Sequence, residues 1–355
     1  MANGAHRVFH IHAGHQGGAA NFFVRLVRAF SEAGIEQMAN TRPDRPWHAD
    51  LEGVCEIVTE SMSERSLHRR LAAWRRRKRI ERFDATVVMA WMNGGAKRVP
   101  DGLENRATLV RLGNFPTYMG SLRRCDHLVG NTPEIVRRAI GSGWPGEAAS
   151  VISNFVDPND AVPADRQSLG FANPGFLVVA PGRFVERKGF VHLLQAMRRL
   201  RDVNLCLVGD GPQRNELAAL VRECGLGERV SMPGWVADVK PLVRAADCLC
   251  CPSTEEPLGN VVLEGWAAGV PVVAAASEGP SWLIEDGVDG LLCRPGDPEA
   301  LAQAIESLRK GLDGAALARA GRTKLDERFS RASITADYVA LFDRLTGRVA
   351  EPTHA

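Results

Sequence analysis

The stretch Pro252-Ser253-Thr254-Glu255-Glu256-Pro257-Leu258-Gly259-Asn260-Val261-Val262-Leu263-Glu264-Gly265-Trp266-Ala267-Ala268-Gly269-Val270-Pro271 decides how the chain reads. An apolar run from Cys248 to Cys251 precedes it and another, Val272 to Ala276, follows it, so strand, loop, helix and strand make one βαβ unit. Pro257 and Gly259 exclude helix from the loop. The helical pattern begins near Asn260, with Val261, Val262 and Ala268 toward the sheet and Gly269 closing the end. The first amides of such a helix have no partner one turn back. Gly259, Asn260 and Val261 therefore offer N–H groups at the carboxyl edge of the preceding strand, a place suited to an anion. Glu256 in the loop and Glu264 one turn beyond Asn260 can look into the same crevice. A carboxylate beside an anion site accepts paired hydrogen bonds from neighbouring hydroxyls, so a ligand with both phosphate and diol groups fits, a nucleotide sugar being the simplest. Taken alone, two glutamates eight apart equally describe a solvated loop residue and an ordinary helix-surface residue.

The same logic recurs upstream. Phe176 to Ala180 is a strand, and Pro181-Gly182-Arg183-Phe184-Val185-Glu186-Arg187-Lys188-Gly189 leads into a helix from Phe190 to Leu200. Arg183 and Lys188 stand beside the crevice, where charge-assisted bonds to a diphosphate contribute about 1.5 to 3 kcal/mol each. The strand Asn204 to Val208 runs into Gly209-Asp210-Gly211-Pro212, whose glycines allow a ligand close to the backbone. Arg214 stands where a dinucleotide-binding motif has its third glycine. The strand Val230 to Met232 leads to Pro233-Gly234-Trp235-Val236. Residues 176–309 thus carry five βα loops on one sheet edge, where open α/β sheets take ligands.

Glu256-Pro257-Leu258-Gly259 through Glu264, with Gly269-Val270-Pro271-Val272-Val273-Ala274, resembles the signature of the retaining family 4 glycosyltransferases. Leu258 stands where phenylalanine is usual in that family, and Gly265-Trp266 where Ala-Met is common, departures that touch packing more than chemistry. The resemblance implies the GT-B fold, an α/β architecture of two Rossmann-like domains facing each other across a cleft. It also implies that Gly182-Arg183 and Lys188-Gly189 grip the donor diphosphate, and that the backbone around Gly211 and Trp235 lines the nucleobase pocket. Glu264 would hold the ribose diol, and Glu256 would hold donor sugar hydroxyls or lie near the oxocarbenium-like centre, with Leu258, Gly259, Asn260 and Val261 along the donor.

In the first half, His6 to His12 is a strand followed by Ala13-Gly14-His15-Gln16-Gly17-Gly18 and a helix with Phe22, Phe23, Leu26, Val27 and Phe30 on one face. In the family a Gly-Gly in this loop faces the donor, and Gly17 and Gly18 match it. His10 and His12 share one strand face, which favours structural roles, while His12 or His15 could meet substrate. Some relatives carry a histidine after a later strand; here that stretch is Leu109 to Phe115, where Arg111 and Asn114 are the polar residues able to reach the cleft. Further strands are expected at Ile35 to Asn40, Val54 to Val58, Ala85 to Ala90, Ala107 to Leu112, Asp126 to Gly130 and Ser150 to Ser153. The expected division is an acceptor-binding domain over 1–157, a proline-punctuated linker over 158–174 and a nucleotide-sugar domain over 175–329. A last helix over 330–348, striped by Ile334, Tyr338, Leu341, Phe342 and Leu345, crosses back onto the first domain, as the resemblance implies.

The 355 residues are 45% hydrophobic and 24% charged, a globular composition too long for one core. No apolar run is long enough for a transmembrane helix and the first residues lack a signal-peptide core, so a cytoplasmic protein is expected. The eight cysteines are scattered through apolar strands, which favours buried small hydrophobes over a metal site or disulfide framework. Residues 1–155 hold 22 Lys and Arg against 15 Asp and Glu, while the remainder holds 22 against 27. Much of the basic excess lies in a helical stretch from Glu64 to Arg82, with nine Arg or Lys and with Leu67, Leu71 and Trp74 at helical spacing. Two readings stand: the apolar stripe packs on the sheet beneath a solvated basic face, or the face docks on an anionic membrane at about 1 kcal/mol per basic residue. No nucleic-acid motif is present.

The expected function is hexose transfer from a nucleoside-diphosphate sugar to a glycan or glycolipid acceptor with retention, in bacterial lipopolysaccharide core or other surface-glycan synthesis. Glu256, Arg183 and Lys188 are the catalytic candidates, with same-face attack by the acceptor and no protein nucleophile. There is no Asp-x-Asp motif, so no metal and no cofactor beyond the co-substrate is expected. A same-fold epimerase or phosphorylase, and a non-catalytic nucleotide-sugar-binding protein, are the alternatives.

Overall fold

The computed structural model describes residues 6–15, 17–61, 66–116 and 118–347, with side chains from residue 70 in the helix that starts at Ser66. The Glu64 end of the expected basic helix lies outside the described residues. Two compact units divide the chain: Met1–Phe155 with Arg331–Ala355, and Val156–Ser330.

Unit 1 is built on a parallel sheet of β1 (Arg7–His12), β2 (Glu36–Thr41), β3 (Glu56–Thr59), β4 (Val87–Trp91), β5 (Ala107–Leu112), β6 (His127–Gly130) and β7 (Ala149–Val151). Their order, β3-β2-β1-β4-β5-β6-β7, reverses direction between β1 and β4. Alternate strand residues fill two apolar layers: Val8, Val87, Met89 and Leu109 on one face, Phe9, Ile11, Val88, Ala90 and Val110 on the other. The last helix, Arg331–Leu345, belongs to this unit. Its Tyr338 and Phe342 meet Phe30 edge-on at 5.5 and 5.6 Å, which buries the stripe visible in the sequence.

Unit 2 repeats the design with β8 (Phe176–Pro181), β9 (Val203–Val208), β10 (Val230–Gly234), β11 (Cys248–Cys251), β12 (Val272–Ala275) and β13 (Leu291–Cys293). The order is β10-β9-β8-β11-β12-β13, with the switch between β8 and β11. Strand β13, three residues long, has too short an apolar run to stand out in the sequence. Cys248 and Cys250 face one apolar layer while Leu249 and Cys251 face the other. They are free thiols, and burial pushes Cys248 up to about 12, so they behave as small hydrophobes.

Residues 158–174, expected as a linker, instead pack on unit 2. Lys240 O accepts from Asn159 Nδ2 at 3.2 Å, Ala164 N donates to Pro241 O at 2.9 Å, and Arg166 forks onto Asp247 at 2.7 and 2.8 Å. The prolines break helix without freeing the segment, because its polar groups find partners.

The departure at Gly265-Trp266 also has a packing cause. A Cβ at Gly265 would lie 2.5 Å from Val272 Cγ2, so the helix needs glycine to sit close to the sheet. Trp266 is fully buried, in space left by Gly321, and its indole N–H donates to Asp289 O at 2.8 Å.

The basic helix corrects one expectation. Among its described side chains, from residue 70 on, it is Arg76, Ile80 and Phe83 that are buried, while Leu71 and Trp74 are 46% and 58% exposed. Arg76 donates to Asn40 Oδ1 at 2.8 Å, to the Arg98 carbonyl and to the Glu60 carboxylate, which also accepts from Arg79 at 3.1 Å. Burial foremost, then Arg98 and Arg79, lower Arg76 to about 10. A half-buried acid, Glu60, thus turns the Arg76 face inward and leaves the apolar pair outside.

Candidate active site

The candidate site of unit 2 lies at the carboxyl ends of β8 and β11, the two strands flanking the switch point. The loop after β8 closes through a 3₁₀ turn, Glu186–Lys188, and Gly189 at φ 68° caps it and starts the helix Phe190–Met197. A Cβ at Gly189 would fall 2.0 Å from Pro252 O, so this glycine permits the β8 loop to lie directly on the β11 loop. Thr254 N donates to Arg187 O at 2.9 Å and fixes the contact.

That contact brings Lys188 Nζ onto Glu256 Oε2 in a short ion pair. Ser253 Oγ donates to the same carboxylate oxygen at 3.2 Å, and Gly279 N donates to Glu256 O at 2.8 Å. Burial opposes the charge on Lys188, but the Glu256 carboxylate outweighs it and holds the ammonium above the ordinary lysine range. Glu256 is 8% exposed, and these partners supply its hydrogen bonds in place of water.

The helix Asn260–Ala268 follows, with Gly259 as its N-cap at φ 89°. Gly259 has no side chain to cap the first amides and no acid occupies the first turn, which leaves the positive end of the helix dipole available to an anion. Asn260 and Glu264 are half-buried, one turn apart. Arg183 is exposed in the β8 loop, and Trp235, just beyond β10, presents its ring to solvent at 75% exposure. Leu258 is buried at 3% in the apolar layer with Trp266 and Leu283, so only its backbone can meet a ligand.

Gly211 and Gly209 serve the protein before any ligand. A Cβ at Gly209 would lie 1.9 Å from Gly182 O, and one at Gly211 2.5 Å from Phe184 O, so these glycines let the β8 and β9 loops interlock. Ser253 and the Gly189–Pro252 contact were not singled out in the sequence; Gly189 before a helix was the available signal.

In unit 1, Gly17 (φ 104°) and Gly18 open the helix Gly18–Glu32 after β1, and a Cβ at Gly17 would meet open space. His12 is buried, stacked on Phe23 at 4.6 Å and edge-on to Trp47 at 5.2 Å, and burial lowers it to about 3. His10, bonded to Gln37 at 3.0 Å, is lowered by burial to about 4. Both are neutral core residues, so the candidate role of His12 at substrate is not supported. His15 is exposed, and its carbonyl accepts from the Trp47 indole at 3.0 Å. Arg111 stands near the carboxyl end of β5 but is closed off from solvent. It is 1% exposed, lies over Phe22 at 4.6 Å and Trp91 at 5.6 Å, and donates to Asn154 Oδ1. Its position on a central strand points it into the core, whereas Asn114, two residues past β5, is exposed.

The family profile described as Glycosyl transferases group 1 matches residues 175–310. The lipopolysaccharide core biosynthesis glycosyltransferase LpsE of Rhizobium meliloti (strain 1021) is 40% identical over 341 residues, covering 94% of this chain and 98% of that protein. The chain belongs to the group 1 glycosyltransferases. LpsD of the same organism, also a lipopolysaccharide core biosynthesis glycosyltransferase, is 39% identical over 95% of this chain and 98% of its own length. Among solved structures, Anabaena HepE in complex with UDP superposes with a TM-score of 0.83 at 23% identity, over 96% of this glycosyltransferase and 100% of HepE. WaaG, a glycosyltransferase involved in lipopolysaccharide biosynthesis, does so with 0.71 at 19%, over 96% and 100%. The GT-B fold and the family read from the Glu256–Glu264 segment are borne out.

Proposed function

We propose that this glycosyltransferase moves a hexose from a nucleoside-diphosphate sugar to a glycan or glycolipid acceptor of the lipopolysaccharide core, with retention at the anomeric carbon. The observation that carries the donor side is the Lys188–Glu256 pair beside the uncapped helix at Gly259, with Arg183 in the adjoining loop. In this reading Lys188, Arg183 and the first amides of the helix stabilise the charge of the leaving diphosphate, usually the largest catalytic contribution. Donor binding draws Lys188 toward the diphosphate and releases Glu256 to accept bonds from sugar hydroxyls, while Glu264 takes the ribose diol. Trp235 offers an aromatic face to the base. The acceptor attacks directly on the face the diphosphate leaves, and Arg183 and Lys188 carry the role a metal has elsewhere. The lipopolysaccharide assignment is supported by near-full-length similarity to LpsE and LpsD, and HepE was solved with UDP.

Among the described residues no helix is long and apolar enough to cross a membrane. We place the protein on the membrane surface through the Ser66–Phe83 helix, where exposed Leu71 and Trp74 lie among Arg70, Arg75 and Lys78, an apolar anchor inside a basic frame. The test of the donor reading is thermal shift of the full chain with UDP, GDP and ADP and their sugars, followed by turnover with the stabilising donor in EDTA. Stabilisation by one nucleotide family and full activity in EDTA are expected. Loss of activity that Mn²⁺ or Mg²⁺ restores refutes the metal-independent assignment, and turnover of donor without acceptor points to an epimerase.

A further inference from the structure

Strands β1 and β2 lie side by side with His12 opposite Thr41, so the segment after β2 starts at the carboxyl edge of the unit 1 sheet, level with Ala13. That segment reads Arg42-Pro43-Asp44-Arg45-Pro46-Trp47-His48. The Trp47 indole donates to His15 O at 3.0 Å, and Thr41 Oγ1 lies 2.8 Å from His48 Nε2, which fastens the segment onto the loop after β1. Pro43, and Asp44 at φ 57°, turn the chain so that the charges of Arg42 and Arg45 act on each other. Both arginines are half-buried, and the Nε of each is buried without a hydrogen-bond partner. Among the described residues neither guanidinium has a carboxylate within ion-pair distance or an oxygen that accepts from it.

Burial, then the charge of Arg42, holds Arg45 below the ordinary arginine range, and exposed Asp44 offsets this only in part. Behind burial, the charge of Arg45 also opposes protonation of His48 and of His12. Two like charges drawn together and partly out of water cost free energy, and no contact inside the fold compensates them. Arg76 of the same unit shows the alternative, since Glu60 and Asn40 answer it. An arrangement that opposes stability in this way is expected where a ligand completes it.

We infer that Arg42 and Arg45 form a subsite for a dianionic oxyanion, the phosphate monoester of a sugar in the acceptor. The inference rests on the reading of unit 1 as the acceptor-binding unit. Two guanidinium forks match the oxygens of a phosphate, and their two charges equal its own. A carboxylate fills one fork and leaves the second charge unanswered. The segment stands on the sheet edge where open α/β units take ligands.

The test titrates glucose 6-phosphate, galacturonate, inorganic phosphate and glucose into the full chain by calorimetry at neutral pH. A saturating nucleoside diphosphate keeps Arg183 and Lys188 occupied. Glucose 6-phosphate is expected to bind, galacturonate more weakly, and glucose not at all. Arg42→Gln and Arg45→Gln should each weaken glucose 6-phosphate by about tenfold or more and leave stabilisation by the nucleotide as in the parent. Because each variant removes half of a repelling pair, its urea midpoint for unit 1 should stand at or above that of the parent. Unchanged affinity overturns the inference, and a midpoint that falls together with affinity marks the pair as structural and overturns it too. Galacturonate binding as tightly as glucose 6-phosphate removes the dianion, and inorganic phosphate binding as tightly as glucose 6-phosphate removes the sugar. A second arm floats the same proteins with phosphatidylglycerol vesicles, where both variants should associate like the parent. If they lose vesicle association and keep their affinity for glucose 6-phosphate, the occupant is a lipid headgroup and the inference falls. A parent chain that no nucleotide stabilises would overturn the donor reading instead, and the same titration without nucleotide, compared across the variants, would still decide this one.

Discussion

Lys188→Met removes one charge of the ion pair at the candidate site and keeps the length of the stem. The side chains of Lys188 and Glu256 are 17% and 11% exposed, so solvent screens the pair little. In the variant the carboxylate keeps the Ser253 hydroxyl at 3.2 Å as its side-chain partner. Breaking a buried pair from one side costs about 3 to 5 kcal/mol, whereas removing both charges is far less costly. Lys188→Met should therefore lower unit 2 by about 3 kcal/mol, and adding Glu256→Gln should recover about 2 kcal/mol of it. In urea, at a slope of about 2 kcal/mol/M, the transition of unit 2 moves down by about 1.5 M and then returns by about 1 M, while that of unit 1 stays in place. The pH dependence has a definite sign. Lys188 is held above its ordinary value of 10.5, so its contribution is fully present below that pH and is lost as the pH rises through the folded value. The gap between parent and Lys188→Met should be level from neutral pH and close only in strong alkali. The same variant loses one charge-assisted bond to the donor, about 1.5 to 3 kcal/mol, or roughly 10- to 150-fold in donor affinity. A double variant no more stable than Lys188→Met refutes the coupling, and an unchanged donor affinity refutes the role at the diphosphate.

Three other outcomes follow from the packing. His10 and His12 are lowered from 6.5 to about 4 and about 3, so the unfolded chain binds their protons first as the pH falls. Each of these histidines should cost unit 1 about 1.4 kcal/mol per pH unit below 6.5, about 2 kcal/mol by pH 5, with His127, also lowered to about 4, adding a third share, and His12→Phe should remove one share; a level urea midpoint over that range contradicts it. Gly321→Ala drives a methyl to 2.1 Å from Trp266 Cδ1 and should cost unit 2 about 2 kcal/mol in thermal unfolding, with Trp266→Met in the same chain restoring part of it. Leu71→Ser with Trp74→Ser should change stability by less than about 0.5 kcal/mol, because both side chains are exposed, and should lower association with phosphatidylglycerol vesicles; unchanged flotation removes the membrane assignment.

The sequence by itself determined whatever depends on near neighbours in the chain. Strand and helix alternate where apolar periods of two and of 3.6 alternate, and β5 and β11 fall where the apolar runs place them. Gly259 and Gly269 bound their helix because both positions need positive φ, 89° and 68°. Arg183, Lys188 and Glu256 are legible for the same reason, since each lies in a loop that directly follows a strand.

Tertiary structure decided which face of an element meets what. Nothing local says that Arg76 turns inward and Trp74 outward; Glu60 and Asn40, brought over by β2 and the segment after β3, settle it. Arg111 reads as a cleft residue until Phe22, Trp91 and Asn154 close around it, and Gly209 and Gly211 read as ligand glycines until the β8 loop fills their space. The Lys188–Glu256 pair joins residues 68 apart that only the close approach of Gly189 to Pro252 can bring together. Burial and ion pairing act between surfaces that the topology makes adjacent, and distance along the chain carries no record of that adjacency.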